Sequence, residues 1–167
     1  MMATNKFKIL KKNGLIEFLK DGEAFLGFKT QDKVTQIFEL VGQPELIIGN
    51  EEMGFYEYKN GIRIGYVDDF MDEFAILFSE KRHIEFPIHS SSLKGIKKIT
   101  KNLQIFELIS ILNSNKIKWK SCDEKSSSCF TIITEGDVLI LFDLENGELF
   151  RVVYSAISKG ISQTIQW

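Results

Sequence analysis

Carboxylates are the side chains best placed to do chemistry in this chain. Four of them crowd one predicted connector between strands, namely Asp68, Asp69, Asp72 and Glu73, and two more, Glu51 and Glu52, precede the strand before it. As metal ligands they lack the acidic alternation, the glycine and the closing glutamate of a calcium loop. As catalytic groups they lack a second partner to work with. Two interpretations remain: a solvated, charged hairpin, or an acidic docking patch for a basic protein, where opposite charge speeds encounter and sharpens partner choice.

The other reactive residue types form no recognisable catalytic or metal-binding pattern. His83 and His89 match no zinc spacing, and the two runs of serine lie outside any nucleophile elbow. Phosphate-binding glycine loops and a paired thiol nucleophile are also missing. We therefore predict no catalytic residue, no metal and no cofactor, and a protein that is not an enzyme. Cys122 and Cys129 are expected to be reduced thiols rather than a disulfide, because no signal peptide precedes them.

Lysines cluster around the second predicted helix. Lys116, Lys118 and Lys120 alternate along one segment, with Trp119 among them. Basic residues with an interleaved aromatic can contact nucleic acid, but lysines also keep the edge of a sheet soluble. Lys plus Arg numbers 21 and Asp plus Glu 23, so there is no basic surplus. This balance favours the edge interpretation and predicts no direct contact with nucleic acid.

The length and the start of the chain limit where the protein works. The 167 residues suit one domain, or two small halves that share a core. Residues 1–10 contain no apolar run of signal-peptide length, and no window of about 18 apolar residues exists. We expect a cytoplasmic protein that does not contact a membrane.

An internal repeat organises the elements that must position these side chains. Apolar residues follow helical spacing twice, at Val34, Ile37, Phe38 and Val41, and at Ile105, Leu108, Ile109 and Leu112. A pair of strands with alternating apolar residues then recurs in both halves without a gap. In the first strand, Ile62, Ile64 and Tyr66 align with Val138, Ile140 and Phe142. In the second strand, Phe74, Ile76 and Phe78 align with Phe150, Val152 and Tyr154. A further strand precedes each pair, and Asn60-Gly61 and Asn146-Gly147 are hairpin-turn signals.

The matched blocks predict an α+β fold built from two β-α-β-β-β units. The first unit, residues 1–81, includes an N-terminal hairpin in which Phe7–Leu10 and Leu15–Leu19 are strands, and Ile16–Phe18 matches Ile84–Phe86. The second unit is residues 82–167. Thr30 or Asp32, and Thr100 or Asn102, are the expected helix N-caps.

Joining the two units should give one compact protein. One antiparallel sheet would carry both helices on one face, because each unit alone has too little core. The other face would stay partly open and present Tyr56, Tyr58, Glu57 and Arg63 as a docking surface.

The first helix and its flanks resemble those of small bacterial α+β domains. The segments Thr30-Gln31-Asp32-Lys33-Val34 and Gly42-Gln43-Pro44-Glu45, with the strands that start at Phe55 and Gly61, are similar to the tandem units of the β-lactamase-inhibitor-protein type and of outer-membrane assembly lipoproteins. The second unit departs from this pattern, with residues 113–115 in place of the Gly-x-Pro turn. The resemblance implies that the units bind other proteins.

The whole chain also resembles bacterial immunity proteins that neutralise a cognate toxin, such as those of contact-dependent growth inhibition. We therefore expect a partner-binding protein that covers the active or substrate site of a toxin, which would be a basic nuclease domain if the acidic patch mimics phosphate. Tyr56 and Tyr58 are the expected aromatic anchors beside the six carboxylates. Two alternatives stay open: a small-molecule or peptide-binding domain with a cavity lined by Phe, and an adaptor that homodimerises through a sheet edge.

Overall fold

The computed structural model describes residues 11–25, 29–79, 84–88, 98–122, 128–165 and 167. Its helices are α1 (Gly14–Lys20), a short 3-10 helix (Gly22–Phe25), α2 (Val34–Val41), α3 (Ile105–Ser114) and α4 (Ala156–Gln163). Its strands are β1 (Leu46–Gly49), β2 (Met53–Glu57), β3 (Ile62–Val67), β4 (Phe70–Leu77), β5 (Phe86–Pro87), β6 (Lys98–Ile99), β7 (Trp119–Cys122), β8 (Cys129–Thr134), β9 (Val138–Asp143) and β10 (Leu149–Ser155). The protein is thus a mixed α+β fold dominated by sheet.

Eight of the strands form one antiparallel sheet in the order β1-β2-β3-β4-β10-β9-β8-β7. Each half of the chain supplies four consecutive strands, and the halves meet where β4 pairs with β10. At this junction Ile76 lies opposite Val152. The two outermost strands, β1 and β7, come from different halves.

One face of the sheet is covered by helices and carries the main core. Ile64, Phe74, Tyr154 and Val138 lie in one row across four strands, and all are buried. Apolar residues of α1, α2 and α3 pack in the same cluster, as alternation in the strands and helical spacing in the helices require. Phe25 joins α1 to the sheet, since its ring centroid lies 4.9 Å from that of Phe18 and 5.2 Å from that of Phe74.

The second face carries ion pairs between side chains of neighbouring strands. Arg63 forms an ion pair with Glu57, and its guanidinium carbon lies 4.8 Å from the centroid of the Phe55 ring. Arg151 on β10 pairs with Glu73 on β4 at 2.6 Å. Because these carboxylates are held by neighbouring cations, this face is less open to a partner than the sequence analysis expected.

The structure confirms the central part of the sequence prediction. Both helices with an apolar stripe are present, and so are the four strands of the two matched pairs. Gly61 and Gly147 both adopt positive φ, at 73° each, in the hairpin turns predicted for them.

Several local predictions are wrong. Residues 15–19 lie in helix α1, so they form no strand of an N-terminal hairpin, and Phe7–Leu10 lies outside the described residues. The sequence match of Ile16–Phe18 to Ile84–Phe86 therefore pairs a helical segment with an extended one, so the two segments are not structurally equivalent. The N-caps are Lys33 and Gln104 rather than the predicted residues, and Glu107 accepts the N–H of Gln104 at 2.8 Å.

The two outer strands and the last helix were not predicted. Strands β1 and β7 each follow a helix directly, so each half contains one helix (α2 or α3) followed by four strands of the large sheet. The side chains of Tyr56 and Tyr58 belong to the core on the helix-covered face, whereas Glu57 and Arg63 lie on the second face. The unit boundaries at 1–81 and 82–167 stay a prediction.

Candidate functional site

Four of the predicted site residues meet at one end of the sheet. Glu51 and Glu52 lie in the turn between β1 and β2, and Asp68 and Asp69 lie in the turn between β3 and β4. The two turns are joined by the N–H of Asp68, which donates to the Glu52 carbonyl at 2.7 Å. We call these four residues the acidic tip.

The first turn is shaped by Asn50. Its side-chain oxygen accepts the N–H groups of Glu52 and Met53, each at 2.9 Å, as Asn does in tight turns. Its carbonyl accepts the hydroxyl of Tyr66 at 2.7 Å, which ties the turn to β3. The backbone around Glu51 and Glu52 is therefore fixed by three hydrogen bonds to a single residue.

The second turn is a two-residue hairpin loop. Val67 pairs with Phe70, and between them Asp68 and Asp69 have φ angles of 49° and 67°. Two consecutive positive φ values are typical of the mirror-image turn that matches the twist of a hairpin, and Asp tolerates them better than most residues. Because this turn requires two residues that tolerate positive φ, it places two adjacent carboxylates in solvent.

The start of α2 holds the second turn in place. The N–H of Val34 donates to the Asp69 carbonyl at 2.9 Å, and the N–H of Met71 donates to the Asp32 carbonyl at 2.9 Å. Gln31 N–H also donates to the Met71 carbonyl at 2.8 Å. These bonds pre-organise the tip, so binding there would require little ordering of the backbone.

The carboxylates of the acidic tip are exposed, and none of them forms an ion pair with another described residue. Large apolar side chains are exposed beside them, with Met53 at 57%, Val67 at 41% and Phe70 at 40%. An apolar surface next to uncompensated charge is typical of a site that binds protein.

The outer strand next to the tip is also apolar. Leu46, Ile47 and Ile48 of β1 are all exposed, and the strand carries no charged side chain. Among the described residues β1 pairs with β2 alone. We call this strand the β1 edge.

Four predicted site residues do not reach the acidic tip. Asp72 is half-buried at an irregularity in β4, between Met71 and Glu73, and the Glu73 carboxylate is paired with Arg151. Tyr58 is buried and its hydroxyl donates to the Gly42 carbonyl at 3.3 Å, while burial raises its pKa. It is therefore not an exposed anchor.

Tyr56 occupies an intermediate position. Its ring stacks on that of Tyr66, with centroids 4.5 Å apart, and meets Phe38 edge-on at 5.0 Å. Burial and then the neighbouring Tyr66 raise its pKa. Ile47 lies directly opposite Tyr56, so this ring flanks the β1 edge, and its role as an anchor stays a prediction.

The sequence analysis missed the apolar part of the site. Leu46, Ile47 and Ile48 are three consecutive apolar residues without alternation, and this pattern does not distinguish an exposed edge from a buried strand. The signal that was available is the acidic flank, since Glu45 precedes the run and Glu51 follows it. Charged flanks also bound many buried strands, so this signal alone does not identify an exposed edge.

The lysine segment lies at the opposite edge of the sheet. Lys116, Lys118 and Lys120 line an open groove of about 420 Å³ with Asn113, Ile117, Trp119 and Trp167. The Trp119 ring is oriented by Asn113, whose side-chain oxygen accepts its N–H at 2.9 Å. Strand β7 is an outer strand, as the edge interpretation of these lysines expects, and the absence of direct nucleic-acid contact stays a prediction.

No group of three or more His, Cys, Asp or Glu residues in the described ranges is arranged to hold a metal ion. Within the same ranges, every helix is too short or too polar to cross a membrane.

Comparisons with known proteins reveal a distant structural similarity. No family model matches the chain, and no curated protein matches it. One solved structure is similar, the crystal structure of an extracellular protein containing a SCP domain from Bacillus anthracis str. Ames, at 11% identity and a TM-score of 0.41. The match covers 81% of this chain and 46% of that chain, so the chain spans less than half the length of the protein it resembles.

Proposed function

We propose that this protein is a cytoplasmic immunity protein that binds a cognate toxin and blocks its active or substrate site. The acidic tip is the contact for a basic surface of the toxin, and a nuclease domain fits this role because its substrate groove attracts phosphate. The observation that carries the proposal is the pre-organised tip, where four exposed carboxylates lie beside Met53, Val67 and Phe70. Such a surface attracts a basic protein over a distance and then buries apolar area on contact.

The two halves of the chain are, in this proposal, copies of one unit. Two observations support this. Each half contributes one helix followed by four strands of the sheet. Ile76 and Val152, which occupy matching positions in the internal repeat, lie opposite each other at the junction. The acidic tip belongs to the first copy only, since the corresponding turn of the second copy contains Leu144, Glu145 and Asn146. One copy would thus serve binding while the other completes the sheet.

The experiment is co-purification with the product of the gene immediately upstream, followed by a toxicity assay. We expect a one-to-one complex that weakens as salt rises and that removes the toxicity of the partner. Glu51→Lys with Glu52→Lys should weaken this complex by about tenfold or more, because it reverses the charge that meets the basic partner.

A matched control is Glu17→Lys with Glu145→Lys. These two glutamates are exposed and lie outside the acidic tip, and the control changes the net charge of the protein by the same amount. Equal weakening by both double variants would show that only net charge matters and would contradict the assignment of the tip. A neighbouring gene product that is not bound, or not neutralised, would refute the immunity role.

A further inference from the structure

We propose that the β1 edge accepts an extended segment of the partner as a ninth strand of the sheet. The segment is apolar in its middle and carries Lys or Arg at both ends. This inference rests on the proposed function, because it names the kind of partner segment that the same end of the molecule recognises. It adds a backbone contact to the side-chain contacts of the acidic tip.

The backbone of β1 pairs with β2 on one side, and on the other side it pairs with no described strand. Its four residues pair with β2 from Leu46 opposite Glu57 to Gly49 opposite Gly54. In an antiparallel ladder alternate N–H and C=O groups point to opposite sides, so an outer strand offers a row of these groups to another chain. Among the described residues no further strand pairs with β1.

As an outer strand β1 carries no lysine, proline or bulge, although its length of four residues also limits pairing. Such strands normally carry a lysine, a proline or a bulge that prevents pairing with another chain. The exposed fractions of Leu46, Ile47 and Ile48 are 48%, 59% and 43%, and their register with β2 is regular. A strand that is apolar, regular and exposed is a template for strand addition.

Side chains on both faces of β1 are available to an added strand. Ile47 points to the same face as Tyr56, which lies opposite it, while Leu46 and Ile48 point to the other face. A partner strand would place alternate side chains against these two apolar rows, which provides specificity in addition to the backbone hydrogen bonds.

The charges at the ends of β1 decide which segment fits. Glu45 precedes the strand, Glu51 and Glu52 follow it, and all three are exposed. If a second copy of this chain paired antiparallel with Ile47 facing Ile48, Glu45 of each copy would face Asn50 of the other, next to Glu51. Like charges at both ends disfavour that dimer, whereas basic residues at the ends of a partner strand would be attracted.

A direct test uses a synthetic peptide with valines in the middle and two lysines at each end. Its matched control has glutamate in place of every lysine. We expect the lysine peptide to bind at least about tenfold more tightly, and the backbone amides of β1 that do not donate to β2 to exchange hydrogen more slowly in the complex, as measured by NMR. Equal affinity for the two peptides, or binding without protection of these amides, would overturn the inference.

Two variants locate the contact. Ile47→Lys places the missing charge in the middle of β1 and should abolish peptide binding, while the thermal midpoint stays close to that of the parent because the side chain is exposed. Leu46→Thr keeps strand propensity and should weaken binding less. Ser121→Lys makes the same kind of change on β7, where Ser121 is exposed, and should have no effect. Binding that survives Ile47→Lys would overturn the inference.

The toxin complex separates this inference from the proposed function. If the tip variant disrupts the complex and Ile47→Lys does not, the immunity role stands and strand addition is wrong. If the peptide binds β1 but the neighbouring gene product is not neutralised, strand addition stands and the immunity role fails. A concentration-dependent dimer in sedimentation that Ile47→Lys abolishes would mean that the occupant is a second copy of the chain, and would overturn the partner assigned here.

Discussion

The two outer strands of the sheet, β1 and β7, carry different kinds of side chain at the two ends of one cross-strand row of residues. On the second face, this row crosses all eight strands from Leu46 through Glu57, Arg63, Ala75, Val153, Leu139 and Ile133 to Lys120. It begins with an exposed leucine on β1 and ends with an exposed lysine on β7. Lysine on an outer strand hinders pairing with another chain, so β7 is protected and β1 is not. Their equivalent positions show that the difference comes from sequence and not from the fold.

The first comparison, which has the largest expected effect, tests whether the apolar residues of the β1 edge contribute to the free energy of unfolding. Phe74→Ala should lower the free energy of unfolding by about 3–5 kcal/mol, because its ring is fully buried against Phe25 and Tyr154. Ile47→Ala should change it by less than about 0.5 kcal/mol, as for other exposed positions. Chemical denaturation measures both. A large loss for Ile47→Ala would mean that β1 is kept apolar for packing and would break the comparison.

The next effect concerns the charged pair at the middle of the sheet. Glu73→Gln should cost about 1.5–3 kcal/mol, since it removes the negative charge that strengthens the hydrogen bond from Arg151 and leaves that cation partly buried without a counter-charge. Glu85→Gln breaks the pair with Lys98, which is about half exposed, and should cost less than about 1 kcal/mol. Urea denaturation of the two variants checks the ranking. Equal costs would show that the second face is as solvated in the middle as at the surface.

A third change makes the protected edge resemble the unprotected one. Lys120→Ile removes the lysine from β7 and should raise self-association by about tenfold, or about 1.4 kcal/mol, while the parent protein stays monomeric. Sedimentation velocity over a range of concentrations measures this effect. Adding Ile47→Lys to Lys120→Ile should not restore the monomer if the new contact is between copies of β7. Recovery of the monomer would show that β1 takes part in that contact.

The smallest expected effect is a pH dependence that arises in the core and not at either edge. Burial, and then the charges of Glu23 and Asp137, raise the pKa of Tyr154 to about 12. Its ordinary value is 10.0, so the unfolded chain loses this proton first as pH rises. Stability is therefore complete below about pH 10 and falls between there and about pH 12. Tyr154→Phe should show a smaller loss of stability between about pH 10 and pH 12, and an unchanged loss would contradict the assignment.

The sequence predicts the middle of the sheet better than its borders. Alternation in Phe74, Ile76 and Phe78 identifies a strand with one buried face, and glycine at positions 61 and 147 identifies the turns. Helix α1 was misassigned although Leu15, Phe18 and Leu19 have helical spacing, because Ile16 and Phe18 also alternate. Over so short a stretch the two periods compete, and tertiary packing decides between them.

The candidate site was predicted in part for a related reason. The carboxylates are visible in the sequence, but the meeting of Glu52 with Asp68 depends on strands β2 and β3 pairing between them. The burial of Tyr58 depends on which face the helices cover, and alternation alone does not indicate that. The exposure of Ile47 depends on β1 lying at the outer end of the sheet. That position is a property of the whole sheet and not of the four residues of β1.

The pairing of β4 with β10 means that the sheet cannot be completed until the second half of the chain has been made. Strand β10 is the last strand of the described chain, yet it pairs in the middle of the sheet with β4, a strand from the first half. During synthesis the first four strands leave the ribosome well before their central neighbour exists. Contacts between residues so distant in sequence form slowly. A nascent chain therefore passes through a stage with two open strands, β1 and β4, and only completion of the chain closes the second of them.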